Sequence, residues 1–119
     1  MPKLTVNGVE NQVESGQRLV LAIEGTGVNI GHRCGGNAKC TTCRVTISEG
    51  EPDTMTAAEH EVLSEKGLVG EVRLSCQIIC DHDMSVEPGF LLENEDEWDD
   101  TGPTPETSIT PAPVWISKP

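Results

Sequence analysis

The sequence is short of positive charge, of long apolar runs and of catalytic motifs, and each shortage removes a class of function. Eight lysines and arginines stand against 20 aspartates and glutamates, a formal net charge of −12. An acidic surface of this strength is repelled by phosphate backbones, which argues against nucleic acid as a partner. It suits a protein partner with a basic face, met faster at low salt. No run of about 18 apolar residues occurs, so no membrane span is expected. The opening MPKLTVNGVE has neither the basic nor the apolar segment of an export leader, and a cytoplasmic location is expected. There is no phosphate-binding glycine loop, no dinucleotide fingerprint and no nucleophile–base constellation. The chain is therefore not expected to be an enzyme, and it is expected to be a monomer.

Cysteine, by contrast, is concentrated. Residues 34–43 read CGGNAKCTTC, which spaces Cys34, Cys40 and Cys43 as C-x5-C-x2-C, and Cys76 follows in the string VRLSCQ. Three thiolates on one loop and a fourth from a distant segment can ligate an iron–sulfur cluster. Gly35 and Gly36 permit the tight wrap such a loop needs. Small residues also leave backbone N–H groups free to face anionic sulfides. Other uses of the five cysteines fit less well. A disulfide framework favours an even count in an exported chain. Cys40-x2-Cys43 is half of a zinc knuckle, yet three residues separate Cys76 from Cys80 and no second tight pair exists. A Rieske arrangement needs two histidine ligands, and neither His32 nor His82 sits in that pattern. His32 is expected to be solvated or to support the site from behind. A structural zinc site, or a cluster used in sensing or assembly by an interaction module, stands as the alternative.

The flanking segments read as an α+β domain on one mixed sheet. Residues 3–7 alternate as a half-buried strand, and Asn7-Gly8 is a two-residue hairpin signal that returns the chain through residues 9–13. Residues 18–25 have helical spacing, and residues 28–30 lead extended into the cysteine loop. Residues 44–48 alternate again, with Val45 and Ile47 inward. Thr56-x-x-Glu59 is a capping box that opens a helix to about Lys66, with Val62 and Leu63 buried and Glu59, Glu61 and Glu65 facing water. Residues 71–74 form a strand that delivers Cys76, and residues 84–87 a last strand. The expected division is a domain over residues 1–92 and an arm over 93–119. The arm is acidic over 93–100, then rich in Pro and Thr, and is read as extended or docked. Trp98 and Trp115 both lie in it, and Val114-Trp115-Ile116 is apolar enough to need cover.

With CGGNAKCTTC, RLSCQII and DMSVEP in this order, residues 3–90 resemble the [2Fe–2S] ferredoxins. The C-x5-C-x2-C loop is similar to that of the bacterial and mitochondrial branch, which includes adrenodoxin and putidaredoxin. The resemblance implies a β-grasp fold, a main helix packed on the sheet with a shorter one beside it, and one-electron carriage on a [2Fe–2S] cluster. It implies Cys34, Cys40, Cys43 and Cys76 as ligands, with Cys80 the competitor for the fourth place. Peptide N–H groups of Gly35, Gly36, Ala38, Thr41 and Thr42 are the implied donors to the sulfurs. The implied partners are a flavin-dependent ferredoxin reductase and an acceptor such as a cytochrome P450 or another oxygenase. In the mitochondrial members the helix after the cluster strand docks the reductase through two carboxylates. The matching stretch here, Glu61-Val62-Leu63-Ser64, keeps the first and has serine at the second.

Overall fold

The computed structural model describes residues 2–32, 43–89, 91, 105–110 and 112–117. Strand β1 (Lys3–Val6) and strand β2 (Val9–Gln12) form the N-terminal hairpin, with Val6 opposite Val9. Asn7 and Gly8 have φ of 51° and 84°, the pair of left-handed residues that a type I′ turn requires. Strand β3 (Gln17–Arg18) leads into helix α1 (Leu19–Gly25), which buries Leu19, Val20, Ala22 and Ile23. Strand β4 (Arg44–Glu49), strand β5 (Thr54–Thr56) and helix α2 (Ala57–Glu65) follow. Strand β6 (Arg73–Leu74), a 3-10 turn over Ser75–Gln77, strand β7 (Ile79–Cys80) and strand β8 (Met84–Pro88) complete the domain. Strand β9 (Trp115–Ser117) belongs to the C-terminal arm.

The main sheet runs β2-β1-β8-β4-β6. Its β1–β8 pairing is parallel, Leu4 with Met84 and Val6 with Val86, and the others are antiparallel. Both partners of each of those two pairs are buried, so the period of two has placed one face of two distant strands into a common core. Leu63 of α2 and the buried face of α1 join that core. The result is the mixed-sheet α+β architecture of the β-grasp. Thr56 caps α2: its Oγ1 accepts from the Glu59 N–H at 3.1 Å, which satisfies one of the unpaired donors of the first turn.

Beside the main sheet, β3 with β7 and β5 with β9 form two small sheets where one sheet was expected, and three further features depart from expectation. Arg18 precedes α1 and closes β3, which pairs with β7, instead of opening the helix. The strand before Cys76 is two residues long, because Glu71 lies in a turn and Val72 joins no ladder. The third departure is at Glu59, which is fully buried, not solvated. In the arm, β9 adds to β5 with Met55 opposite Ile116, and the Ala57 N–H donates to Val114 O at 2.8 Å. Ile116 packs on the core, whereas Trp115 stays 48% exposed.

The end of β4 is tied to the segment before β8 at Gly50 and His82. Gly50 has φ +81°, and a Cβ there would lie 2.3 Å from Asp83 O, so only glycine fits without backbone movement. His82 Nε2 lies 2.6 Å from Gly50 O and Nδ1 lies 2.6 Å from Asp81 Oδ1. Only the imidazolium can donate at both nitrogens. The Asp81 carboxylate, then the Gly50 carbonyl, accordingly raise the His82 pKa, with Asp83 adding a smaller pull. A raised folded-state pKa stabilises below the unfolded value of about 6.5 and is lost as pH climbs through the folded value. Tm should therefore fall on raising pH from about 6 to about 8, and the slope should flatten in His82→Gln. Equal slopes in the two proteins would contradict this role.

Candidate metal centre

Cys43 immediately precedes β4 and Cys76 sits in the 3-10 turn after β6. Pairing of Arg44 with Leu74 brings these two chain ends together. Ser75 then binds Cys43 twice: its N–H donates to Cys43 O at 3.2 Å and its hydroxyl at 2.7 Å. Both cysteines are buried, at 2% and 0% exposure.

The short strand β6 is held by a buried ion pair. Arg73 Nε and Nη2 donate to Glu59 Oε2 and Oε1 at 2.8 and 3.2 Å, a two-pronged fork, and the Leu74 N–H donates to the same carboxylate at 2.9 Å. Arg73 also donates to Pro52 O and Thr54 O, at 3.1 and 2.9 Å. The expectation that Glu59 faces water fails for this reason. A capping-box glutamate is ordinarily solvated, but here an arginine from across the fold claims its carboxylate.

Cys76 itself is gripped at two points. Arg18 donates to its carbonyl from Nε at 3.0 Å and from Nη2 at 2.7 Å. Gln77 Nε2 lies 3.6 Å from Cys76 Sγ and donates to Thr110 O at 2.8 Å. Gln77 Oε1 accepts from the Thr56 hydroxyl at 2.7 Å, so the residue that caps α2 also orients the amide beside the sulfur. Nothing local in the sequence marks Arg18. Its acceptors all come from segments distant in the chain, as a buried guanidinium requires.

Cys80, the competitor, lies in β7 and is also fully buried. Burial first, then Asp81 and Asp83, push its thiol up to about 11. His32 is 2% exposed and pairs with Glu24 of α1, so the solvated alternative fails. Among the described residues no three metal-ligating side chains cluster. Cys34, Cys40 and the implied donors Gly35, Gly36, Ala38, Thr41 and Thr42 lie outside the described residues. The part that is described fits an iron–sulfur cluster: two buried cysteines stand on paired segments, with an amide donor at one sulfur.

Comparison with known proteins agrees with this geometry. The family model described as the 2Fe-2S iron-sulfur cluster binding domain matches residues 4–81. The 2Fe-2S ferredoxin of Haemophilus influenzae is 34% identical over 95 residues, covering 76% of this chain and 84% of that protein. A component of the Na(+)-translocating NADH-quinone reductase of Chlamydia pneumoniae is 33% identical over 102 residues. That alignment takes in 83% of this chain, which spans 23% of the component's length. The crystal structure of the ISC-like [2Fe–2S] ferredoxin of Pseudomonas putida superposes with a TM-score of 0.61 at 25% identity, covering 77% of this chain and 96% of that one. The matched family binds iron and sulfide, which decides against zinc. The chain belongs to the [2Fe–2S] ferredoxin family and binds a [2Fe–2S] cluster.

Proposed function

We propose that Cys34, Cys40, Cys43 and Cys76 hold the cluster. In this reading the chain takes one electron at a time from a flavin-dependent ferredoxin reductase and passes it to a cytochrome P450 or another oxygenase. The observation that carries the ligand set is the convergence of Cys43 and Cys76, locked by two bonds from Ser75 to Cys43 O. The cluster supplies the one-electron couple. The chain's own residues hold the thiolates, exclude water from Cys43 and Cys76 and, through the Gln77 amide, place an N–H near sulfur that gains negative charge on reduction. The chain works as a carrier and not as an enzyme. The thiols must stay reduced until the cluster is in place, which suits the cytoplasm.

The reductase reading draws on charge. Glu61 and Glu65 of α2 are exposed, as are Glu49, Glu51 and Asp53 at the end of β4 and beyond it. Glu59 is removed from that face by Arg73. A basic partner should still be steered to the remaining acids. Stopped-flow reduction by a flavin reductase and NADH or NADPH should transfer one electron per chain. Its second-order rate should fall by about tenfold between about 0.05 and 0.5 M salt, as the Debye length shrinks. A fully loaded chain that such reductases do not reduce, or reduce at a salt-independent rate, would remove this partner reading.

A further inference from the structure

Beyond Cys76, Arg18 reaches the C-terminal arm. Its Nη1 donates to Glu106 O at 2.9 Å and to Ser108 O at 3.1 Å, while Nε and Nη2 hold Cys76 O. The guanidinium is fully buried and joins two segments far apart in sequence. The second link runs through Gln77, whose Nε2 spans Cys76 Sγ and Thr110 O. The arm is seated there by apolar contact: Ile109 is 6% exposed and Pro105 is buried. Residues 105–110 are thus linked to the same cysteine by two routes, one at its carbonyl and one at its sulfur.

We propose that Arg18 is a positioning residue for Cys76, through which the docked arm over residues 105–110 sets how readily the cluster accepts an electron. The proposal rests on the reading of Cys76 as a ligand. Two donors from one planar fork fix the Cys76 peptide, and with it the direction in which Sγ leaves the backbone. A buried positive charge and an oriented amide both favour the state that carries one more negative charge. The arm supplies the acceptors that hold the guanidinium and the amide in those orientations. Reduction adds one electron from an external donor; no bond or proton changes at Arg18 or Gln77.

The test uses the full chain with Arg18→Gln, Arg18→Lys and Ile109→Asp, the last placing a charge where the arm is buried. Reduction equilibria are measured against redox dyes with visible circular dichroism of the cluster. In metal-free protein, the alkylation rate of Cys76 by iodoacetamide is read by peptide mass mapping. Arg18→Gln and Ile109→Asp should each make reduction about tenfold less favourable, about 59 mV for a one-electron couple. Each should raise Cys76 alkylation by about tenfold, and the double variant should add less than twofold to Arg18→Gln. Arg18→Lys, which keeps the charge without the fork, should fall between wild type and Arg18→Gln. Equilibria and alkylation rates within twofold of wild type in Ile109→Asp, or in a folded Arg18→Gln, overturn the proposal. A Cys76→Ser protein that keeps the wild-type visible spectrum overturns instead the ligand reading beneath it.

Discussion

Replacing Glu59 by glutamine should lower the unfolding free energy by about 3–5 kcal/mol, as expected when one partner of a buried ion pair is removed. The carboxylate is fully buried and accepts three bonds, from Arg73 Nε, Arg73 Nη2 and the Leu74 N–H. Glutamine has nearly the same shape but only one acceptor oxygen, and its NH2 group would point a donor at a donor. Arg73 would keep the weaker Glu51 contact at 3.4 Å and its two carbonyls, which lowers the cost toward the smaller figure. Arg73→Met should cost a similar amount. The double variant Glu59→Gln with Arg73→Met should cost clearly less than the two singles together, because it leaves no unpaired buried charge. Urea unfolding measures all three, and a loss below about 1 kcal/mol for Glu59→Gln would show that the pair does not hold β6.

Cys76→Ser should reduce bound iron and visible absorption to under about a tenth of wild type, while Cys80→Ser should keep both. Serine offers a hard, protonated oxygen where a soft thiolate is required. At position 80 the same change adds only a buried hydroxyl, costing about 1–3 kcal/mol of stability if it finds no partner. The two cysteines look alike in composition and burial. They differ in what surrounds them: an amide donor and an arginine-held backbone at Cys76, two aspartates at Cys80. Iron analysis and absorption of the two purified variants decide between them. A colourless Cys80→Ser beside a coloured Cys76→Ser would reverse the assignment.

How much of this was legible in the sequence depends on the range of the interaction. Asn7-Gly8 announces its turn because both residues tolerate positive φ, and Thr56 announces the start of α2 because its hydroxyl reaches three residues ahead. Alternation at Leu4 and Val6, and at Met84 and Val86, shows which face is buried but not that the two strands lie side by side in parallel. Long-range polar partners leave no local trace. Glu59 and Glu61 look equivalent as acids on one helix, yet one faces Arg73 and the other water. Arg18 resembles any charged residue at a helix start until the carbonyls of Cys76, Glu106 and Ser108 close around it. Strand β5 was missed because three residues, Thr54–Thr56, carry no period of their own; β9 across from them supplies the pairing. The cysteine spacing stands out because ligation is a local constraint for a loop, and Cys76 is proposed as the fourth ligand because VRLSCQ resembles a family string.

The parallel pairing of β1 with β8 also has a consequence for biosynthesis. Leu4 waits for Met84 and Val6 for Val86, so the first hairpin leaves the ribosome with its apolar face uncovered. At about 5–20 residues per second the wait lasts roughly 4–16 s. Cys43 is made well before Ser75, the residue that pins it, and the arm that braces Cys76 is translated later still. Until the arm has emerged, the Cys43 and Cys76 thiols lack part of the scaffold that buries them. That interval is when they are most open to oxidation.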